Sequence, residues 1–192
     1  LPLAHRYLGA PDQMGVTEAL EILKPLLQDE TIKKIGQNIK YDALVLRTQG
    51  IKLEGIHFDT MIASYVINPG LRQHNLDYLA QHYLNHKMIT YREVVGKSSS
   101  DFSEVDVDGA MEYSCEDADV TFQLMHILET QLREDQNEDL FYGLEMKLIP
   151  VLIEMEFAGI KIDKNFFKDM SRRFAGQLRE IEKEIFEEAG ME

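Results

Sequence analysis

Two short stretches hold residues whose types and spacing could do chemistry. The first is Gln37-Asn38-Ile39-Lys40-Tyr41-Asp42, in which an amide, a basic side chain and an aromatic ring stand within five residues of a carboxylate. It follows the apolar, β-leaning run Lys33-Lys34-Ile35-Gly36 and precedes Ala43-Leu44-Val45-Leu46, so Asp42 falls where a strand hands over to a helix. Sites in open α/β sheets gather at the carboxyl ends of strands, and a carboxylate there can hold a hard metal ion. The plainer reading is a helix N-cap aspartate with solvated neighbours. The second stretch is Tyr113-Ser114-Cys115-Glu116-Asp117-Ala118-Asp119. Tyr113 and Asp117 are four apart in a helical pattern and share a face, whereas Asp119 is rotated away from them. A carboxylate on a part-apolar helix face calls for a partner, and a tyrosine one turn earlier could hold a water beside a metal-bound carboxylate. The competing reading is an amphipathic surface helix with an acidic cluster.

The elements that must position these groups follow from periodicity. Leu3–Leu8 reads as a strand, and Thr17 opens a helix with Ala19, Leu20, Ile22, Leu23, Leu26 and Leu27 as its stripe, which Pro25 should kink or shorten. Thr31–Lys40 holds a second strand and Tyr41–Thr48 a helix stopped near Gly50. Ile51–Thr60 holds a third strand, with Asp59-Thr60 capping a helix that Asn68-Pro69-Gly70 breaks. Asn75 caps a helix carrying Leu76, Leu79, Ala80, Tyr83 and Leu84. Lys97–Ser100 is the most loop-like stretch, and Ser103 with Asp106 has the spacing of a capping box. A long helix is expected from Val107 to Leu132. Polar residues Gln131–Asp139 mark a domain boundary. Beyond it lie a helix through Leu144, Leu148, Val151, Leu152 and Met155, a strand-like Ile160-Lys161-Ile162, and a last helix capped by Asp163. Strands alternating with helices indicate a three-layer α/β domain followed by a helical segment.

The chain has 192 residues, a formal net charge of -14, 44% hydrophobic and 28% charged residues, values ordinary for a globular protein. One cysteine, Cys115, excludes an internal disulfide and a cysteine-based zinc site and fits a reducing compartment. The negative charge argues against a protein whose main affinity is for a phosphate backbone, but not against a nuclease, because carboxylates collect divalent cations that then supply the positive charge. No apolar run is long enough to span a bilayer, and the leucine at position 1 suggests a processed piece or fragment.

In order and spacing these motifs resemble one family. Asn38-Ile39-Lys40-Tyr41-Asp42 is similar to the second exonuclease motif of the 3′–5′ proofreading domain of bacterial DNA polymerase I, a family A polymerase, and Tyr113–Asp117 is similar to its Tyr-x-x-x-Asp third motif. Phe58-Asp59-Thr60-Met61, Arg72–Leu76, His86–Tyr91, Glu145–Leu152 and Glu156–Asp163 fall in family order, so the resemblance covers essentially the whole chain. It implies a ribonuclease H-like fold with a mixed sheet over residues 1–135, then the first thumb helices of a polymerase domain over 136–192. It implies metal-assisted removal of 3′-terminal nucleotides from DNA in a bacterial, cytoplasmic and nucleoid-associated parent. The cofactors would be two divalent ions (Mg2+, or Mn2+ or Zn2+) about 3.5–4 Å apart. By matching position Asp117 would ligate the tighter metal, Asp42 would serve the second, and Tyr113 would orient the attacking water. Gln37, Asn38, Lys40, Tyr41, Arg72 and Tyr91 would hold the single-stranded 3′ end, with the rest of the polymerase as partner in cis.

The family's first motif, Asp-x-Glu on the first strand, has no counterpart here. Leu1–His5 resembles the family's third strand, so the chain is expected to start after the first two. The expected consequences are a fragment that is catalytically dead or nearly so, with metal retention left open, and exposed edges at Leu3–Leu8 and Thr31–Lys40 that favour rearranged pairing, self-association or marginal stability. A ribonuclease D-like exoribonuclease and a non-catalytic scaffold domain of the polymerase are the alternatives.

Overall fold

The computed structural model describes residues 2–96 and 101–190, and the expected Lys97–Ser100 loop lies outside them. Its helices and strands fall into two compact units, residues 1–157 and 158–192.

In the first unit, helix α1 spans Val16–Gln28, and Pro25 sits inside it without shortening it. Of its expected stripe only Ala19 is fully buried, and Ile22 and Leu26 are exposed. Strand β1 (Lys34–Gly36) pairs in parallel with β2 (Ile56–Asp59), with an irregularity between Lys34 and Ile35 that brings Ile35 opposite Phe58 and Gly36 opposite Asp59. This sheet of two parallel strands is the sheet of the described residues, smaller than the mixed sheet expected. Leu3–Leu8 forms no strand. Its residues bond instead to a segment about a hundred residues on: Arg6 N donates to Ser103 O at 2.7 Å, and the Tyr7 side-chain hydroxyl accepts from Val107 N at 3.2 Å. An edge at Leu3–Leu8 is therefore absent.

Helix α2 (Ile39–Thr48) follows β1, and α3 (Thr60–Ile67) follows β2 directly. Helix α4 (Leu76–Leu79) continues as one wide π turn through Leu84, and α5 spans Tyr91–Val95. The long helix α6 runs Val107–Glu134. Helix α7 (Glu138–Leu140) passes through a π turn, Phe141–Glu145, into α8 (Met146–Ala158).

The aspartate and asparagine caps form as expected: Asp59 accepts from Met61 N and Ile62 N, and Asn75 from Tyr78 N. The expected Ser103/Asp106 capping box does not. Asp106 alone caps α6 by accepting from Gly109 N, Ser103 lies in a 3-10 turn (Phe102–Glu104) capped by Asp101, and the capping box of this region is Thr90 with Glu93.

The core is one apolar cluster in which Phe58, Leu79, Leu124, Leu128, Leu132 and Phe141 are fully buried. Helix α8 contributes Met146, Ile149 and Ile153 to it, so this compact unit continues past the polar stretch Gln131–Asp139. Chain direction near the sheet depends on Gly55, whose φ of +70° and approach to the Ile32 carbonyl leave no room for a side chain: a Cβ there would stand 2.4 Å from that oxygen.

In the second unit Ile160–Ile162 is not a strand. Asp163 caps α9 (Lys164–Ala189) by accepting from Asn165 N and Phe166 N, and the helix bears an exposed apolar stripe that includes Phe167, Phe174, Leu178 and Ile181.

Candidate functional site

The carboxylate of Asp59 builds the site's foundation. It is fully buried, caps α3, and also accepts from Ile39 N at 2.8 Å and Asn38 N at 3.2 Å, the first amides of α2. Two helix N-termini thus share one acceptor. Asn38 stands in the left-handed region (φ 58°), a conformation asparagine tolerates better than most residues, and this swings the chain from β1 into α2. Ile39 and Ala43 then face the core, one turn apart. Asp42 is left on the flank that looks toward α6.

Opposite it, α6 presents Tyr113, Asp117 and Thr121 on successive turns, with Ala118 and Phe122 beside them. These groups and Asp42 line one open cleft of about 620 Å3, together with Ile35, Gly36, Gln37, Ser114, Leu76 and Asp77. Two motifs about seventy residues apart therefore meet across a cavity.

Gln37 fixes the cleft's third wall. Its Oε1 accepts from Thr60 Oγ1, and its Nε2 donates to His74 O at 2.7 Å, which ties the strand end to the segment leading into α4. His74 is held in turn by Ser64 Oγ at 3.0 Å. Asp77 on α4 faces Asp117 and Tyr113, a third carboxylate in the cleft that the sequence reading missed. As an acidic residue in a helix's first turn it carries no local sign of its role.

The electrostatics favour protonated forms. Partial burial pushes the Asp42 carboxyl up, and the nearby Asp59 adds to this, although the Asp42 side chain opens to solvent at the cleft. Burial also raises Asp117. A hydrogen bond from Tyr113 works in the opposite direction, and Asp77 and Glu116 add repulsion. The Tyr113 hydroxyl is pushed up to about 12 by burial and by the Asp117 carboxylate it donates to. An ion of charge +2 in the cleft would relieve all of these repulsions at once.

The expected strand-holding residues are dispersed. Gln37 lines the cleft, and Asn38 shapes the turn beneath it. Tyr41 and Arg72 are exposed. Lys40 points to Glu156 of α8 and forms an ion pair with it, while Arg47 on the same helix pairs with Glu154 at 2.9 Å. Tyr91 is half-exposed and stacks on Phe102, with ring centroids 5.9 Å apart and planes at 16°.

Among the described residues no three histidine, cysteine, aspartate or glutamate side chains converge closely enough to hold a metal ion. The carboxylate chemistry suits Mg2+ or Mn2+ all the same. Such ions are commonly held by one or two carboxylates, with waters and substrate phosphates completing the shell. No described helix is long and apolar enough to cross a membrane.

A family model described as 3′–5′ exonuclease matches residues 4–133. DNA polymerase I of Rhizobium leguminosarum is 38% identical over 200 residues, 99% of this chain and 20% of that protein. DNA polymerase I of Pseudomonas aeruginosa is 36% identical over 197 residues, 100% of this chain and 22% of that protein. The chain thus spans about a fifth of the length of these curated relatives. Among solved structures, the POL domain of Pol1 from M. smegmatis, in complex with DNA primer-template and dNTP, superposes with a TM-score of 0.67 at 23% identity, over 93% of this chain and 28% of that one. Brucella melitensis NrnC superposes with a TM-score of 0.60 at 23% identity, over 80% of this chain and 68% of that one. Together with the family match, these likenesses carry the fold, α/β and ribonuclease H-like.

Proposed function

This chain belongs to the 3′–5′ exonuclease family of DNA polymerase A, and we propose that its cleft receives the single-stranded 3′ end of DNA for proofreading within a DNA polymerase I. The observation that carries this reading is the convergence of Asp42, Tyr113 and Asp117 on one cavity. Residues 1–135 form the exonuclease domain and 136–192 the start of the polymerase domain. The remainder of that polymerase is the partner in cis.

Asp117 and Asp42 are the metal-ligating carboxylates, and Asp77 adds negative charge that attracts cations to the cleft. A divalent ion held there would supply an activated water and neutralise charge on the scissile phosphate. Tyr113, a donor at neutral pH because its phenol stays protonated, orients that water or the phosphate oxygen beside Asp117. Gln37, Asn38, Lys40, Tyr41, Arg72 and Tyr91 hold the strand. For Lys40 this requires release from Glu156. The family's two-ion mechanism draws two of its carboxylates from an Asp-x-Glu motif that this sequence lacks. This chain by itself therefore turns over slowly or not at all.

The test is fluorescence anisotropy with a short single-stranded DNA. Binding should strengthen with Mn2+, require a free 3′ end, and lose its Mn2+ dependence in Asp117→Asn. Binding indifferent to metal and to both aspartates would overturn the reading. A fast Mg2+-dependent exonuclease rate from this chain, abolished by Asp117→Ala, would refute its inactivity.

The fold shared with NrnC, which has been solved bound to pGG and with bound Mg2+, supports a second reading, an exoribonuclease. Preference for an RNA oligonucleotide over DNA of the same sequence would favour it.

A further inference from the structure

The wall of the cleft at Tyr113 is continued by rings that the mechanism does not use. Phe102 lies 5.9 Å from both Tyr91 and Tyr113, and Tyr91 lies 6.5 Å from Tyr113 with planes at 71°, so three aromatic residues from separate elements close a triangle. Tyr91 comes from α5, Phe102 from the 3-10 turn and Tyr113 from α6.

Phe102 is itself gripped from behind. The His5 ring lies 6.0 Å from it, and His5 Nδ1 meets Val105 O at 2.9 Å. Arg6 donates from its backbone to Ser103 O and from Nε to Ser103 Oγ at 2.9 Å, and pairs with Asp101. Asp101 also accepts from Ser103 N, and these bonds hold its carboxyl down at about 2. Residues 5–7 thus strap the 101–105 turn, and the turn's one large apolar side chain is aimed at the two tyrosines.

We propose that Phe102, held by this strap, is a positioning residue that fixes the Tyr91 ring for stacking on the 3′-terminal base and the Tyr113 ring beside Asp117. The inference rests on the nuclease reading above. Edge-to-face and offset contacts among rings prefer defined geometries, so a central ring with two neighbours constrains both. Replacing it by an aliphatic side chain keeps most of the apolar packing and loses that constraint.

The test uses the full chain with Mn2+ and a single-stranded DNA bearing 2-aminopurine at its 3′ end, whose fluorescence falls when the base stacks. A second probe carries the same base five nucleotides inward. The wild type should quench the terminal probe. Phe102→Leu should weaken terminal quenching by about two- to tenfold, as expected for loss of one aromatic pair. It should leave the internal probe and the total affinity nearly unchanged. Phe102→Tyr should restore quenching, and Arg6→Met, which loosens the strap at an exposed site, should give a partial loss. A purely structural role would lower affinity for both probes together.

Terminal quenching in Phe102→Leu equal to wild type overturns the proposal alone. So does failure of Phe102→Tyr to restore it, or an equal loss at both probes. Absence of Mn2+-dependent binding by the wild type overturns the nuclease reading and the positioning role with it. Should Phe102→Leu fail to fold, Arg6→Met decides: unchanged terminal quenching in that variant overturns the proposal.

Discussion

Replacing Asp59 with alanine removes the acceptor that two helix N-termini share, and the structure sets the size of the effect. Four backbone N–H groups point at this carboxylate: Ile39 at 2.8 Å, Met61 at 2.9 Å, and Asn38 and Ile62 at 3.2 Å. Loss of one N-cap costs about 1 kcal/mol, and a buried donor left unpaired about 1–3 kcal/mol. Two caps are lost here, and at least the Ile39 amide is buried. Against this, burial raises the Asp59 carboxyl, so part of the gain from its hydrogen bonds is already offset by desolvation. The net expectation is a loss of about 3 kcal/mol for Asp59→Ala, and about half that for Asp59→Asn, which keeps one acceptor oxygen. That is a large share of the roughly 5–15 kcal/mol that holds a domain together. Urea unfolding followed by circular dichroism measures it, and amide exchange at Asn38, Ile39, Met61 and Ile62 should accelerate together. A loss below about 1 kcal/mol in Asp59→Ala, the value of a single ordinary cap, would refute the shared-acceptor argument.

Gly55→Ala should destabilise by about 2 kcal/mol or more in the same assay, because left-handed backbone costs a side chain about 1–2 kcal/mol and the new Cβ would also meet the Ile32 carbonyl. Tyr113→Phe deletes the donor that lowers the Asp117 carboxyl, so the Asp117 titration midpoint, followed by carboxyl carbon shifts, should move further up. Lys40→Met breaks a part-exposed ion pair with Glu156. It should change stability by no more than about 1 kcal/mol while weakening single-stranded DNA binding, as salt titration of anisotropy would show.

Much of this fold was legible from residue types. Asp59, Asn75 and Asp163 cap helices by local bonds to amides two or three residues on, and α6 follows from a long unbroken period. What failed was non-local. Leu3–Leu8 has strand-like residues, but a strand needs a neighbour, and here the 101–107 turn takes its hydrogen bonds. Asp59 reads as a cap for α3, and nothing local shows that it also receives the amides of α2. Of the candidate site, Asp42, Tyr113 and Asp117 were found because motif spacing marked them. Asp77 lines the same cleft and Phe102 packs against its Tyr113 ring, from segments whose sequence resembles an ordinary helix start and an ordinary turn. Lys40 was marked for a phosphate, yet in this structure it pairs with a carboxylate 116 residues on, Glu156, which no local pattern could reveal.

The central claim is that Asp42 and Asp117 act on one divalent ion site. The direct measurement is paramagnetic broadening of backbone amide signals during a Mn2+ titration of this chain. Broadening should centre on residues 42, 77, 113 and 117 and vanish in the Asp42→Asn, Asp117→Asn double variant. Both carboxyls are raised by burial, so the folded chain carries extra protons just above the ordinary carboxylate range, and Mn2+ affinity should climb as pH rises through that window and release them. Broadening centred elsewhere, or unchanged in the double variant, would contradict the account.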